Sequence, residues 1–273
     1  MIFIGSYPSA RALRGGCRLA QAVARYRLRG PRRVYDDPMM GLPEPLLAGA
    51  KSLVVVAPHP DDDVLGCGAL LARLAPRLRV SVVYVTDGAA SHLGSAAYPP
   101  DRLRAVRERE ARRGLARLGV TSEPRFLRWP DGTVPCDTDA AAGPLLAALR
   151  ACIPAGGGVA VALPWRRDPH ADHRAVASLV RAVLRERPRA TMLEYAVWLG
   201  VLGTPADMPR PDEGRTVAVE SEPWLAAKRA ALAEHRSQLG RLITDARISF
   251  ALPAELLAAA LGPVERFVIP VSA

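Results

Sequence analysis

The chain has 273 residues, 49% of them hydrophobic, with 37 Lys and Arg against 27 Asp and Glu and a formal net charge of +10. That size and apolar content suit one α/β domain with an ample core, and no apolar run is long enough for a transmembrane segment. The charge excess sits in residues 1–35, which hold eight arginines and no acid; the remaining 29 basic and 27 acidic residues nearly balance, so a nucleic-acid partner is not expected.

Residues 1–35 read as a basic N-terminal leader, poorly ordered by itself, and residues 36–273 as the domain. The leader has no apolar stretch of the kind a secretory signal needs. Cys17, Cys67, Cys136 and Cys152 are scattered without a CxxC pair, which gives no disulfide framework and fits a reducing cytoplasm. Residues 36–47, with Pro38, Pro43 and Pro45, read as an extended lead-in. Strands are then predicted near 52–57, 79–86, 124–128, 158–163 and 191–198. Helices are predicted near 65–76, 101–118, 139–151, 171–186 and 222–239. Their alternation predicts a Rossmann-like α/β fold, a mainly parallel sheet flanked by helices. Residues 200–216, rich in Pro and Gly, read as a long loop, either at the mouth of a site or as a surface flap.

The chemistry-bearing residues gather in two places. The run LVVVAPHPDDDVLGCGA, residues 53–69, takes a buried strand into a histidine and three aspartates before a helix begins. The segment DPHADH, residues 168–173, follows the strand-like VAVALPW. Loops at the carboxyl ends of parallel strands are where open α/β sheets bind ligands. Imidazole and carboxylate together make a site for zinc or ferrous iron, and two histidines plus one carboxylate meet the three-ligand count of a catalytic zinc. A further carboxylate is then free to take a proton from water, and a further histidine to stabilise an oxyanion. A lone aspartate there would read as a helix cap; two such clusters together read as a site.

These segments resemble the signature motifs of the LmbE and PIG-L family of zinc-dependent N-acetylglucosaminyl deacetylases. VVYVTDG, the RxxE of VRERE, FLRWPDG and KRAALAEHRSQ resemble further family blocks in the same order, from about Leu53 to Ile269. The resemblance implies that His59, Asp62 and His173 hold zinc, with ferrous iron as the other candidate. It implies Asp61 as general base and His170 as the oxyanion stabiliser or acid. Asp63 stands where the family usually has glutamate, one methylene longer. The implied reaction is attack of zinc-activated water on the N-acetyl carbonyl of an amino sugar or its glycoside. Hydrolysis of another amide or acyl conjugate is the alternative, and a metal-bearing binding protein without turnover is a third reading.

Beyond the metal, Arg107 and Asp131 are candidate substrate-binding residues; Arg107 also reads as a salt-bridged partner of Glu110, and Asp131 as a turn former. Asp172 is expected either to orient His170 or His173 or to cap the helix from Ala171. His92 reads as a solvated loop residue, His235 as structural, and Trp165 as partly buried or stacked on a sugar. The expected partner is a small N-acetylated amino sugar or glycoconjugate, and a homo-oligomer is compatible with the sequence.

Overall fold

In the computed structural model, residues 39–40 and 49–271 are described; the basic leader and most of the lead-in lie outside them. Strand β2 (Ser52–Ala57) explains the architecture. Its residues alternate between two faces: Leu53, Val55 and Ala57 enter one apolar cluster, Val54 and Val56 the other. A strand apolar on both faces must be covered on both. Helices α1 (Asp62–Leu74), α2 (Pro100–Arg117) and α6 (Leu225–Glu234) contribute to the first cluster, and α3 (Gly143–Cys152) and α4 (Ala171–Arg185) to the second. Along α4, Val176, Leu179, Val180, Val183 and Leu184 are buried at the spacing of one helical face.

The other strands are β1 (Met39–Met40), β3 (Arg79–Thr86), β4 (Arg125–Trp129), β5 (Val159–Pro164), β6 (Thr191–Tyr195), β7 (Gly214–Glu220) and β8 (Val264–Pro270). They join in the order β1-β7-β8-β6-β5-β2-β3-β4. Every pairing is parallel except the two that β8 makes, with β6 and β7. The chain runs outward from β2 through β3 to β4, then returns to place β5 on the other side of β2. Val54 pairs Val161 and Val55 pairs Ala162. This reversal opens a crevice at the carboxyl ends of β2 and β5, where the two histidine-bearing loops emerge.

The five predicted strands are present, and the parallel α/β class holds. Three features differ from expectation. Residues 200–216 are not one loop: α5 (Leu199–Leu202), a 3₁₀ turn at Pro205–Asp207 and the start of β7 occupy them. The helix expected over 222–239 is a 3₁₀ turn at Glu222–Trp224 followed by α6, which ends at His235. Strands β7 and β8 and helix α7 (Ala254–Ala260) complete the domain. No helix among the described residues is long and apolar enough to cross a membrane.

Helix α1 runs through the first cluster, buried along nearly its whole length. Gly68 lets it approach α6 so closely that a Cβ there would stand 2.7 Å from the Lys228 side chain. Lys228 Nζ donates to the Leu65 carbonyl at 3.0 Å and to Glu265 of β8 at 2.6 Å. Glu265 in turn accepts from the Ala69 and Leu70 amides at 2.6 and 2.8 Å. A buried ion pair is thus bonded to the backbone of α1 just beyond the aspartates.

Candidate active site

The turn after β2 is self-organised. The Asp62 carboxylate accepts the His59 amide at 2.9 Å, and the Asp61 carbonyl accepts the Val64 and Leu65 amides that start α1. Asp62 Oδ2 also lies 3.0 Å from His59 Nδ1 and 3.1 Å from His173 Nε2, so two imidazoles from different loops converge on one carboxylate oxygen. His173 is fully buried and neither ring nitrogen completes a hydrogen bond; Nδ1 is 3.4 Å from Asp168 Oδ1. The donor atoms of His59, Asp62 and His173 lie within 4.8 Å of one another. Buried ring nitrogens without hydrogen bonds beside a carboxylate fit a divalent ion of the zinc or ferrous type. His59, His170 and Asp172 come equally near one another. In that set, however, His170 Nδ1 accepts the Asp172 amide at 3.2 Å, and the Asp172 carboxylate accepts the Gly132 and Val134 amides.

Electrostatics separates the two neighbouring aspartates. Burial pushes Asp61 up to about 6, against the pull of Arg107 and with Asp62 adding to the rise. Burial also opposes ionisation of Asp62, but His173 and His59 outweigh it and hold the group well below the usual carboxylate range. Adjacent carboxylates on one turn thus differ in proton affinity, one suited to hold a cation and the other to exchange a proton. Burial lowers His170 to about 3, helped by the other two imidazoles, so it is neutral. Because its Nδ1 accepts the Asp172 amide as the cap of α4, its proton belongs on Nε2.

Arg107 is 3% exposed and is not a surface residue. Its Nη2 lies 3.0 Å from Asp61 Oδ1 and its Nη1 donates to the Gly88 carbonyl at 2.9 Å. Glu110, its expected salt-bridge partner, instead accepts from the Ser237 amide and hydroxyl. Asp131 accepts the Ala90 amide and lies 3.1 Å from His59 Nε2. It reaches the site through a bulge: the β3–β4 register shifts between Tyr84 and Thr86, and Arg128 takes φ 56°, held by a two-point ion pair with Glu108. Asp172 meets His170 through its backbone amide, while its carboxylate accepts the Gly132 and Val134 amides instead of capping α4 and lies 3.3 Å from His59 Nε2.

His59, Asp61, Asp62, Arg107, Asp131 and His170 all line one cleft, and His173 and Asp172 lie behind it. Trp165 is 1% exposed and donates to the Asp207 carbonyl, away from the cleft. His92 is buried rather than solvated. His235 is fully buried, in keeping with a structural part. Asp168 carried no role in the sequence reading, although it begins the DPHADH segment. It is fully buried, accepts the His170, Val197 and Trp198 amides, and faces His173. A carboxylate behind an imidazole fixes the orientation of its ring.

Residues 54–184 match the PIG-L family profile, described as GlcNAc-PI de-N-acetylase. No curated protein matches the chain. Among solved structures, the conserved protein TT1542 from Thermus thermophilus is 26% identical with TM-score 0.56, covering 81% of this chain and 95% of its own. The N,N'-diacetylchitobiose deacetylase from Pyrococcus horikoshii is 20% identical with TM-score 0.56, covering 98% and 94%. A deacetylase of the teicoplanin biosynthesis pathway is 19% identical with TM-score 0.60, covering 81% and 98%.

Proposed function

Residues 54–184 form a PIG-L family domain, and on that premise we propose that the protein is a metal-dependent hydrolase that removes the N-acetyl group from an N-acetylated amino sugar or its glycoside. The convergence of His59, His173 and Asp62 Oδ2 beside a separately held Asp61 carries this reading. His59, Asp62 and His173 would supply the three protein ligands that a catalytic zinc takes. A bound Zn²⁺ or Fe²⁺ supplies Lewis acidity and makes water a nucleophile near neutral pH.

The protein's own groups do the rest. Asp61, with its proton affinity raised by burial, accepts a proton from the attacking water. The Nε2–H of neutral His170 donates to the oxygen of the tetrahedral intermediate. Asp61 then returns its proton to the departing amine. Arg107 holds Asp61 in place, and Asp131 lines the cleft beside His59, where a sugar hydroxyl has a carboxylate to donate to. The chitobiose deacetylase and the deacetylase of the teicoplanin pathway share the fold, which supports the class of substrate.

The test is metal content and amine release on wild type and Asp62→Ala, purified identically. About one zinc or iron per chain and release of glucosamine from N-acetylglucosamine or its glycosides are expected in the wild type, with both lost in the variant. Turnover that survives complete chelation overturns the reading.

A further inference from the structure

The cleft has two unlike halves. Its catalytic side is polar. Its other side is built from Leu65, Leu93, Trp198, Ile248, Phe250 and Leu252. The cleft is open to solvent and continues from the polar groups along these apolar side chains. Resting on the deacylase reading above, we propose that this wall is a subsite for an alkyl chain or aromatic ring longer than a methyl, carried by the substrate either as its N-acyl group or as its aglycone.

Three observations support the subsite. The wall is preformed: Leu93 and Ile248 join in an antiparallel bridge, the Leu252 amide donates to the Gln238 carbonyl at 2.8 Å, and Trp198 and Phe250 meet edge to face with centroids 6.2 Å apart. Leu93, Ile248 and Phe250 remain partly accessible within the cleft, while Leu65, Trp198 and Leu252 behind them are buried. Apolar side chains left partly accessible beside polar groups in one cleft form a surface that an apolar ligand can cover. Finally, the wall gathers residues from four separate segments of the chain, at Leu65, Leu93, Trp198 and 248–252, beside one cleft.

Leu65 adjoins both halves. It lies in the first turn of α1, three residues after Asp62. A group attached to the reacting carbonyl or to the sugar therefore reaches the wall without leaving the cleft.

The experiment is calorimetric titration of the zinc-loaded Asp61→Asn chain with two ligand series. One is methyl glycosides of glucosamine bearing N-acetyl, N-butanoyl, N-hexanoyl and N-octanoyl groups; the other is methyl, butyl, hexyl and octyl glycosides of N-acetylglucosamine. Kd is expected to fall along one series by up to about fourfold per buried methylene, with a heat-capacity change that becomes more negative. The series in which it falls identifies the source of the chain. Phe250→Ser should flatten the trend, and Phe250→Leu, which keeps apolar area, should retain most of it. A Kd constant along both series, or no binding at all, overturns the subsite. Amine release by the wild type is measured on the same compounds. Chain-length-dependent binding without amine release would remove the deacylase reading and leave the subsite; release from N-acetylglucosamine without any chain-length gain would do the reverse.

Discussion

Asp61 and Arg107 form one unit, 3.0 Å apart and both buried. Replacing Asp61 by Asn keeps the shape and removes the base, so turnover should fall by roughly 10²–10⁴-fold while metal content stays at the wild-type level. Arg107 lowers the proton affinity that burial raises in Asp61. In Arg107→Gln that opposing charge is gone, the Asp61 pKa rises above about 6, and the acidic limb of the pH–rate profile should move to higher pH. A limb that stays or moves down would mean another group controls it. Gly88 sits beneath this pair with φ 63°, and a Cβ there would stand 2.4 Å from Arg107 Nη1. Gly88→Ala should therefore cost about 1–3 kcal/mol of stability and disturb Asp61 as well, read by thermal unfolding and kcat together. Much of this scale was legible. His59, Asp61, Asp62 and His170 line one cleft, with His173 directly behind it, because their loops follow adjacent strands. The partner of Arg107 was not legible, since RxxE on a helix suggests a local pair, whereas the observed partner, Asp61, lies in a different loop far earlier in the chain.

Helix α1 is held by side chains from two distant elements, Lys228 of α6 and Glu265 of β8. Removing one member of such a pair leaves a buried charge and unpaired helix groups. Lys228→Met should cost about 3–5 kcal/mol, on the order of 10 °C in Tm, and should lower metal affinity, because Asp62 is the first residue of the helix that shifts. Lys228→Arg should recover part of the loss. Differential scanning calorimetry with metal titration checks both. The same pair explains why β8 escaped the sequence reading. A charged residue inside VERFVIP breaks the apolar pattern of a strand, and only the fold reveals that Glu265 faces the helix. Strand β7 was hidden differently: GRTVAVE follows directly on Pro-rich sequence and has Glu220 as its last residue. By contrast β2, β3 and β5 were legible because parallel central strands are apolar on both faces.

At the scale of the whole molecule, acid stability offers a test that avoids the metal. His235 closes α6, is fully buried, and burial with the charge of Arg107 lowers it to about 3. An unfolded histidine titrates near ~6.5. Between those values the unfolded chain binds the additional proton, so stability falls as pH falls, by at most about 1.4 kcal/mol per pH unit from this group. Urea unfolding of chelator-treated protein between about pH 7.5 and 5 should show the decline, and His235→Gln should flatten it. An unchanged slope would mean that His235 keeps no lowered affinity. The single-domain α/β form, with its mainly parallel sheet, was legible from the alternation of elements; the reversed strand β8 between β6 and β7 was not, because it comes from the far end of the chain and crosses back. That return has a consequence in time. During synthesis both histidine-bearing loops are made well before Val264–Pro270, yet the amides of Ala69 and Leu70 have no carboxylate to bond until β8 emerges. A nascent chain therefore carries these groups before it has the clamp that aligns them, and the site reaches its full geometry only once Val264–Pro270 has emerged.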